Sequence, residues 1–193
     1  MKKLQTVLVL LSMISVGTYA QGISGGAKLG LNLADQTYSG SGSYSSPGIR
    51  PDFHVGGYLT LMFTEHMGLQ PEVLYSGQGA KSGSSKLKLN YITVPILFRF
   101  NVNKVLSFHA GPQFGVLASA KLKNGSNSVD YKDNYKSSDV GIAIGTTVDL
   151  PMKLNFTFRI IKGLSDINNV DNSSIKVRNF NIQLSVGYKL FGK

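Results

Sequence analysis

The sequence contains no cysteine and no tryptophan, and only three of its 193 residues are histidine. Without cysteine, a disulfide-stabilised scaffold, a thiolate metal site and a cysteine nucleophile are excluded. Only 16% of the residues are charged, which is too few for a disordered polyelectrolyte, while 42% are apolar. The chain is therefore expected to fold as one domain with a sizeable buried interior.

Acidic residues are scarce, with 10 Asp and Glu against 20 Lys and Arg. The resulting net charge of +10 is compatible with an anionic partner such as a nucleic acid or a membrane surface. Beyond the first twenty residues, no run approaches the roughly 18 uninterrupted apolar residues of a transmembrane helix. If the protein enters a membrane, we expect it to do so with β-strands.

The first twenty residues have the features of a secretory signal peptide. Two lysines at positions 2 and 3 precede an apolar run over residues 4–14, and small residues follow at positions 18 and 20. We predict cleavage after Ala20, which leaves residues 21–193 as the barrel domain, with 18 basic against 10 acidic residues. A retained anchor is the alternative, but the apolar run is shorter than the roughly 20 residues of a membrane span. Because Gln21 and not cysteine follows the cleavage site, a lipidated N-terminus is not expected.

Apolar and polar residues alternate along most of the remaining chain. In residues 178–190, every second residue from Phe180 to Leu190 is apolar, and the residues between them are polar or small. Successive side chains of a strand point to opposite faces, so this pattern predicts a strand with one apolar and one polar face. The same reading predicts eight strands and no helix. Within these strands the alternation is clearest over approximately residues 25–34, 53–63, 67–79, 93–100, 106–120, 140–150, 154–160 and 178–190.

The segments between the predicted strands alternate between long and short. Their lengths in chain order are about 16 residues (35–50), 3 (64–66), 7 (80–86), 4 (102–105), 18 (121–138), 3 (151–153) and 12 (165–176). Long external loops and tight periplasmic turns are typical of outer-membrane barrels. A soluble up-and-down barrel such as a lipocalin shares the alternation with its apolar face turned inward, so alternation alone does not distinguish the two folds.

The distribution of aromatic and charged residues favours the membrane barrel. With the apolar face outward, one group of aromatic residues falls near the short turns and a second near the long loops, as lipid interfaces select. The two groups are Phe63, Phe100, Phe108, Phe156 and Tyr188, and Phe53, Tyr75 and Phe180. The inward face then carries charged and amide side chains, which are too polar for the core of a soluble sandwich. We therefore predict an all-β, eight-stranded antiparallel up-and-down transmembrane β-barrel in the outer membrane.

Six short motifs occur along the chain in the order found in a known family. They are LQPEVLYSGQG (69–79), YITVPIL (91–97), AGPQFG (110–115), DVGI (139–142), Arg159 with GLSDI (163–167), and VGYKLF (186–191). On these motifs the chain resembles the PorT-like outer-membrane β-barrel family of the Bacteroidetes, and the resemblance covers nearly the whole predicted domain. The resemblance implies an eight-stranded barrel in the outer membrane of a Gram-negative bacterium. PorT itself is linked to a secretion system, but most barrels of this kind have no assigned activity, so a secretion role is not carried over.

Three charged residues are predicted to point into the barrel near the middle of their strands: Glu72, Arg99 and Arg159. They form either a charged constriction that selects solutes or an internal ion-pair network that fills the lumen. Because an eight-stranded barrel has an interior just wide enough for side chains, the sequence favours the filled lumen.

The three histidines are not expected to form an active site or a metal site. His66 falls in a short turn, while His54 and His109 lie inward on different strands without partners at metal-ligand spacing. Some small outer-membrane barrels are lipid-modifying enzymes that use a serine with a histidine, but the sequence predicts no such pair of base and nucleophile. We therefore predict no enzymatic activity, no cofactor and no bound metal.

Basic residues concentrate near the predicted external rim. Lys88, Lys162 and Arg178 are assigned to the outward face at the long-loop ends of their strands, so they are candidates for contacts with lipopolysaccharide phosphates. Other lysines lie in or beside the external loops: Lys81, Lys86, Lys123, Lys132, Lys136 and Lys176. The alternative is ordinary solvated and snorkelling charge. Nucleic acid is not an expected partner, because the signal peptide exports the chain and the aromatic residues form belts.

The sequence thus predicts a monomeric, non-catalytic outer-membrane barrel that gives surface structure or recognition through its external loops. These loops are rich in Ser, Gly, Asn and Tyr, which is the composition of adaptable binding loops. The final strand ends in Tyr188, Leu190 and Phe191 and resembles the signal that barrel-assembly machinery reads. A narrow solute channel, a secretion-associated barrel and a lipid-modifying enzyme are the alternatives.

Overall fold

The computed structural model describes residues 22–40, 48–124, 127–170 and 175–192. The predicted signal peptide and its cleavage site lie outside the described residues. The described part of the chain contains nine β-strands and two short 3-10 turns. None of its helical segments is long and apolar enough to cross a membrane.

The strands are β1 (Gly22–Ser39), β2 (Arg50–Met62), β3 (Met67–Ser82), β4 (Ser85–Asn101), β5 (Leu106–Asn124), β6 (Asn127–Asp130), β7 (Ser138–Asp149), β8 (Leu154–Gly163) and β9 (Lys176–Phe191). Neighbouring strands pair antiparallel in the order β4-β3-β2-β1-β9-β8-β7-β5, and β5 pairs back onto β4. These eight strands form a closed ring in which the first and last strands are adjacent. The predicted eight-stranded antiparallel barrel is therefore confirmed, and the short β6 adds a pairing at the outer end of β5.

The alternating sequence places apolar side chains outside the barrel and polar side chains inside. Along β9, Leu184 and Tyr188 are exposed on the outer face, whereas Gln183 and Ser185 are buried in the lumen. Aromatic residues near the short turns, such as Phe100, are exposed on the same outer face. This polarity is the one that a barrel surrounded by lipid requires.

The strands extend further at the long-loop end than the sequence pattern predicts. The predicted loop at residues 80–86 is wrong, because β3 and β4 continue to Ser82 and Ser85 and are joined by a tight turn with Gly83 at φ +56°. The predicted loop at residues 121–138 is also wrong, since it contains the end of β5 and all of β6. Lysine, serine and asparagine are frequent on these segments, so the two-residue period that marks the lipid-facing strands is lost there.

The barrel interior has two layers. Polar and charged side chains fill the middle, and an apolar cluster lies towards the long-loop end. We call this cluster the apolar cap; it consists of the buried residues Leu89, Tyr91, Leu117, Ala120, Ile167 and Val177. Ile167 comes from the connection between β8 and β9 and is 0% exposed, so this connection folds into the mouth of the barrel.

Candidate functional site

Glu72 on β3 lies at the centre of the polar interior. Its carboxylate accepts hydrogen bonds from Lys28 Nζ at 2.8 Å and from the two terminal nitrogens of Arg159 at 2.7 and 2.9 Å. Gln70 Nε2 donates to the same carboxylate at 2.7 Å. Because Lys28, Glu72 and Arg159 come from β1, β3 and β8, the network crosses the barrel from wall to wall.

Arg99 joins this network indirectly. One of its terminal nitrogens donates to Gln70 Oε1 at 3.0 Å, and the other forms an ion pair with Asp149 at the end of β7. Of the three residues that the sequence places in the lumen network, Glu72 and Arg159 are in direct contact, while Arg99 reaches Glu72 through Gln70.

His109 on β5 contacts Arg159 on β8 across the intervening strand β7, which has Gly145 at the paired position. Arg159 Nε donates to His109 Nε2 at 3.1 Å. Gly145 pairs with both residues in the strand register, and a Cβ atom at this position would lie 2.8 Å from His109 Nε2. Glycine therefore leaves the space in which an imidazole and a guanidinium share one level of the lumen.

The charges of the network are almost fully removed from solvent. Lys28, Glu72 and Arg159 are each no more than 2% exposed. An unpaired buried charge is very unfavourable, whereas a hydrogen-bonded ion pair offsets part of the desolvation cost. Two cations share one carboxylate here, so the burial of both depends on Glu72. These side chains occupy the space that a solute would need to pass through an eight-stranded barrel.

A second interior cluster brings together a hydroxyl, an imidazole and an amide. His54 Nε2 lies 2.8 Å from Ser185 Oγ, and His54 Nδ1 lies 2.7 Å from Asn32 Oδ1. The prediction that no serine pairs with a histidine is therefore wrong. His54 and Ser185 both pair with Gly30 in the strand register, and the missing side chain of Gly30 lets them meet across β1.

The hydrogen bonds of this cluster resemble those of a serine nucleophile with its histidine base, but its serine is not accessible to a substrate. A serine that attacks a substrate must reach the substrate as well as its base. His54 is 1% exposed and Ser185 is 5% exposed, and both lie inside the filled lumen. Asn32 in turn donates to Ser76 Oγ at 3.0 Å and to Gly77 O at 2.7 Å. The cluster therefore satisfies buried polar groups and ties together β1, β2, β3 and β9.

Asp166 holds the connection between β8 and β9 in place over the apolar cap. Its carboxylate accepts hydrogen bonds from the backbone N–H groups of Asn168 at 3.1 Å and Val177 at 2.9 Å, and from Lys136 Nζ at 3.4 Å. Partial burial favours the neutral acid, but the three donors outweigh it and lower the pKa of Asp166 below its usual value. The ionised carboxylate thus anchors the segment that carries Ile167.

Five lysines lie on the outer face at the long-loop ends of β3, β4 and β5: Lys81, Lys86, Lys88, Lys121 and Lys123. We call them the lysine ladder, because the strand register sets Lys81 opposite Lys86, Lys86 opposite Lys123, and Lys88 opposite Lys121. Like charges in directly opposed positions are unfavourable. In the described part of the chain, no member of the ladder forms a salt bridge.

The three residues predicted to contact lipopolysaccharide do not lie together. Lys88 belongs to the lysine ladder, whereas Lys162 and Arg178 lie on β8 and β9, on the other side of the ring. Arg178 also donates to Leu164 O and to Ser39 Oγ, each at 3.2 Å. The neighbours of Lys88 are instead the ladder lysines on β3, β4 and β5. Their proximity follows from the strand register and not from their spacing in the sequence.

The described residues offer no evident metal site. Within residues 22–40, 48–124, 127–170 and 175–192, no group of three or more His, Asp or Glu side chains comes close enough to hold a metal ion.

A closed ring of eight strands, with an apolar exterior and a charged, filled interior, defines a small outer-membrane β-barrel protein. The sequence matches the family model described as outer membrane protein beta-barrel domain over residues 19–169, and the chain belongs to this family. No curated protein sequence gives a significant match.

Solved structures with the same fold share little sequence with this chain. Ail, the attachment invasion locus protein of Yersinia pestis, is 16% identical with a TM-score of 0.52, over 86% of this chain and 98% of Ail. Neisserial surface protein A is 14% identical with a TM-score of 0.53, over 85% of this chain and 97% of its own. A second Ail structure, with the heparin analogue sucrose octasulfate, is 14% identical with a TM-score of 0.51, over 88% and 99%. Family and neighbours together point to the outer membrane.

Proposed function

We propose that the protein is a non-catalytic outer-membrane barrel with a filled lumen, which provides surface structure or recognition through its long-loop rim. The observation that supports this proposal most is that two sets of side chains fill the barrel interior. The network around Glu72 occupies the middle of the barrel, and the apolar cap lies across its outer end. Because eight strands leave little further room inside, the rim is the part of the molecule available to partners.

Electrical conductance of the refolded protein in planar lipid bilayers tests this proposal. A filled lumen predicts no steady single-channel current in the wild type or in Lys104→Ala, a control substitution in an exposed short turn. Steady current that changes its ion selectivity in Arg99→Ala or Arg159→Ala would contradict the proposal and support a narrow solute channel.

We propose further that the lysine ladder binds the phosphate groups of lipopolysaccharide. Five lysines share one outer face there, and like charges are directly opposed. A phosphate between two neighbouring lysines relieves this repulsion, and the lysine ammonium contacts phosphate as a point charge. The ladder lies at the long-loop end of the strands, the end that faces outward in barrels of this class.

Binding to vesicles of phosphorylated and dephosphorylated lipid A tests the ladder. Each lysine near an anionic surface contributes about 1 kcal/mol, so Lys86→Gln with Lys123→Gln should weaken binding to phosphorylated lipid A roughly thirtyfold. Lys104→Gln with Lys153→Gln is the matched control, because both lysines are exposed in short turns at the other end. Equal binding of the ladder variant and the wild type, or equal binding to the two lipids, would contradict phosphate recognition. Sucrose octasulfate, the compound in the second Ail structure, is a soluble competitor for the same test.

We also propose that the protein is a monomeric PorT-like barrel that the barrel-assembly machinery recognises. The six sequence motifs support a PorT-like barrel of the Bacteroidetes. The exposed terminal side chains Tyr188, Leu190 and Phe191 on β9 support recognition by the barrel-assembly machinery. A closed ring has no free sheet edge for a second copy, which supports a monomer. Export with cleavage after Ala20 predicts an N-terminus at Gln21, which mass spectrometry of the membrane-extracted protein checks.

A further inference from the structure

The long-loop end of the barrel contains a small pocket beside the apolar cap. Its volume is about 200 Å³. We call it the rim pocket. Tyr38 and Tyr135 pack against the cap and also line this pocket, and Tyr131 forms a further part of its wall. Among the residues that the structure describes, none that lines the rim pocket is charged.

Gln36 lies in the wall of the rim pocket with half of its amide group unsatisfied. The residue is 0% exposed, and its Oε1 accepts a hydrogen bond from the Tyr38 hydroxyl at 3.0 Å. Its Nε2 forms no hydrogen bond of normal geometry within the described residues, although the Tyr135 hydroxyl lies nearby. A buried donor without an acceptor is unfavourable, and a small rotation of the Gln36 side chain towards the pocket would let a ligand oxygen satisfy it.

The chemistry of the lining restricts what the rim pocket recognises. Because the described part of its lining is uncharged, those residues offer no ion pair to a phosphate, a carboxylate or an ammonium group. Tyrosine rings offer flat apolar faces with a polar edge, while Ser82, Ser85 and Gln36 offer hydroxyl and amide groups. A matching ligand carries apolar C–H faces and several hydroxyl groups within the volume of one ring.

We propose that the rim pocket binds a single neutral sugar ring, with Gln36 Nε2 donating to one of its oxygens and the tyrosine rings covering its C–H face. The rim pocket would give the proposed surface recognition a specific ligand. This inference rests on the proposed function, because that function places the long-loop end of the barrel outside the cell. Its binding chemistry is separate from that of the lysine ladder, so the two are tested separately.

Saturation-transfer difference NMR tests the proposal on the refolded protein in a detergent without a sugar headgroup. The probes are the methyl glycosides of glucose, galactose, mannose and N-acetylglucosamine, with p-cresol as an apolar ring of similar size. At ordinary ligand efficiency, a ligand of this size binds with a Kd in the millimolar range. We expect at least one glycoside to bind in this range, and to bind more tightly than p-cresol.

Two variants probe the pocket from different sides. Gln36→Leu keeps the approximate size of the side chain and removes the donor, so the Kd of the glycoside should rise at least about fivefold. Tyr131→Ala removes an aromatic wall at an exposed position where folding is little affected, and the Kd should rise by a similar factor. Tyr75→Ala, on the outer wall, is the control and should leave binding unchanged. Heat-modifiable gel migration establishes that each variant is folded.

The proposal is overturned by any one of three results. These are no saturation transfer from the wild type to any glycoside, tighter binding of p-cresol than of every glycoside, and equal glycoside affinity in the wild type and in either Gln36→Leu or Tyr131→Ala. Binding of lipid A vesicles by the same samples separates this outcome from failure of the proposed phosphate recognition. If the wild type binds lipid A but no glycoside, the rim pocket alone is refuted.

Discussion

Removing the negative charge of Glu72 is the most direct test of the interior network. In Glu72→Gln, Lys28 and Arg159 remain buried at no more than 2% exposure without their counter-ion. Breaking a buried ion pair by removing one partner costs about 3 to 5 kcal/mol, because an uncompensated charge stays behind. Since two cations lose the same carboxylate, we expect a loss in the free energy of unfolding near the upper end of that range.

The free energy of unfolding is measured by denaturant titration in lipid vesicles, followed by tyrosine emission and by heat-modifiable gel migration. Glu65→Gln is the matched control, because it makes the same chemical change at an exposed turn position and should cost at most about 0.5 kcal/mol. Combining Glu72→Gln with Lys28→Met and Arg159→Met removes the stranded cations and should recover much of the loss.

A loss in Glu72→Gln no larger than that in Glu65→Gln would refute this reasoning. It would mean that Lys28 and Arg159 do not depend on the carboxylate that contacts both of them. Failure of the triple variant to recover stability would contradict the electrostatic explanation and assign the loss to packing.

The remaining predictions concern the cap, the rim and the second interior cluster. Ile167→Ala should cost about 2 to 5 kcal/mol and increase proteolysis between β8 and β9, whereas Leu164→Ala, 56% exposed in the same connection, should not. Because the pKa of Asp166 is lowered, its stabilising contribution is present above the ordinary aspartate pKa and is lost as the pH falls through the folded-state pKa. The protection factors of the amides in that connection, which correct hydrogen exchange for its intrinsic pH dependence, should therefore fall in acid in the wild type but not in Asp166→Asn. Burial raises the pKa of Tyr135 to about 12, so the unfolded chain gives up this proton first. The wild type should then lose at most about 3 kcal/mol relative to Tyr135→Phe between about pH 10 and 12, and a constant difference across that window would contradict the assignment. Ser185→Ala should cost about 1 kcal/mol and leave lipid A and phospholipid composition unchanged; an altered composition would favour a lipid-modifying enzyme.

The strands that face lipid could be predicted from the sequence because lipid imposes one polarity on every second residue. The segment from Phe180 to Leu190 keeps this pattern without interruption, and β9 covers it. Near Lys81 and Lys86 the strands rise beyond this constraint, polar residues are allowed on both faces, and the period no longer distinguishes a strand from a loop.

The contacts inside the barrel could not be predicted, because a period of two gives the face of a residue but not its height or its partner. Lys28 meets Glu72 across 44 residues of sequence, and Arg159 meets Glu72 across 87. His54 reaches Ser185 across 131 residues because both flank a glycine on β1. Only the order and register of the strands contain that information.

The barrel closes where its first strand meets its last, with Asn32 opposite Gln183 in the strand register. Pairing of such distant segments is a slow event in folding. Lys28 and Glu72 lie on β1 and β3, near one another in the ring, whereas Arg159 lies on β8 and reaches Glu72 only across the closed barrel. If the strands paired one residue out of register, the lumen side chains of the shifted strand would face lipid. If they paired two residues out of register, Arg159 would move away from Glu72. The buried charges therefore stabilise the ring only in this one register, because any other alignment leaves at least one of them without its partner.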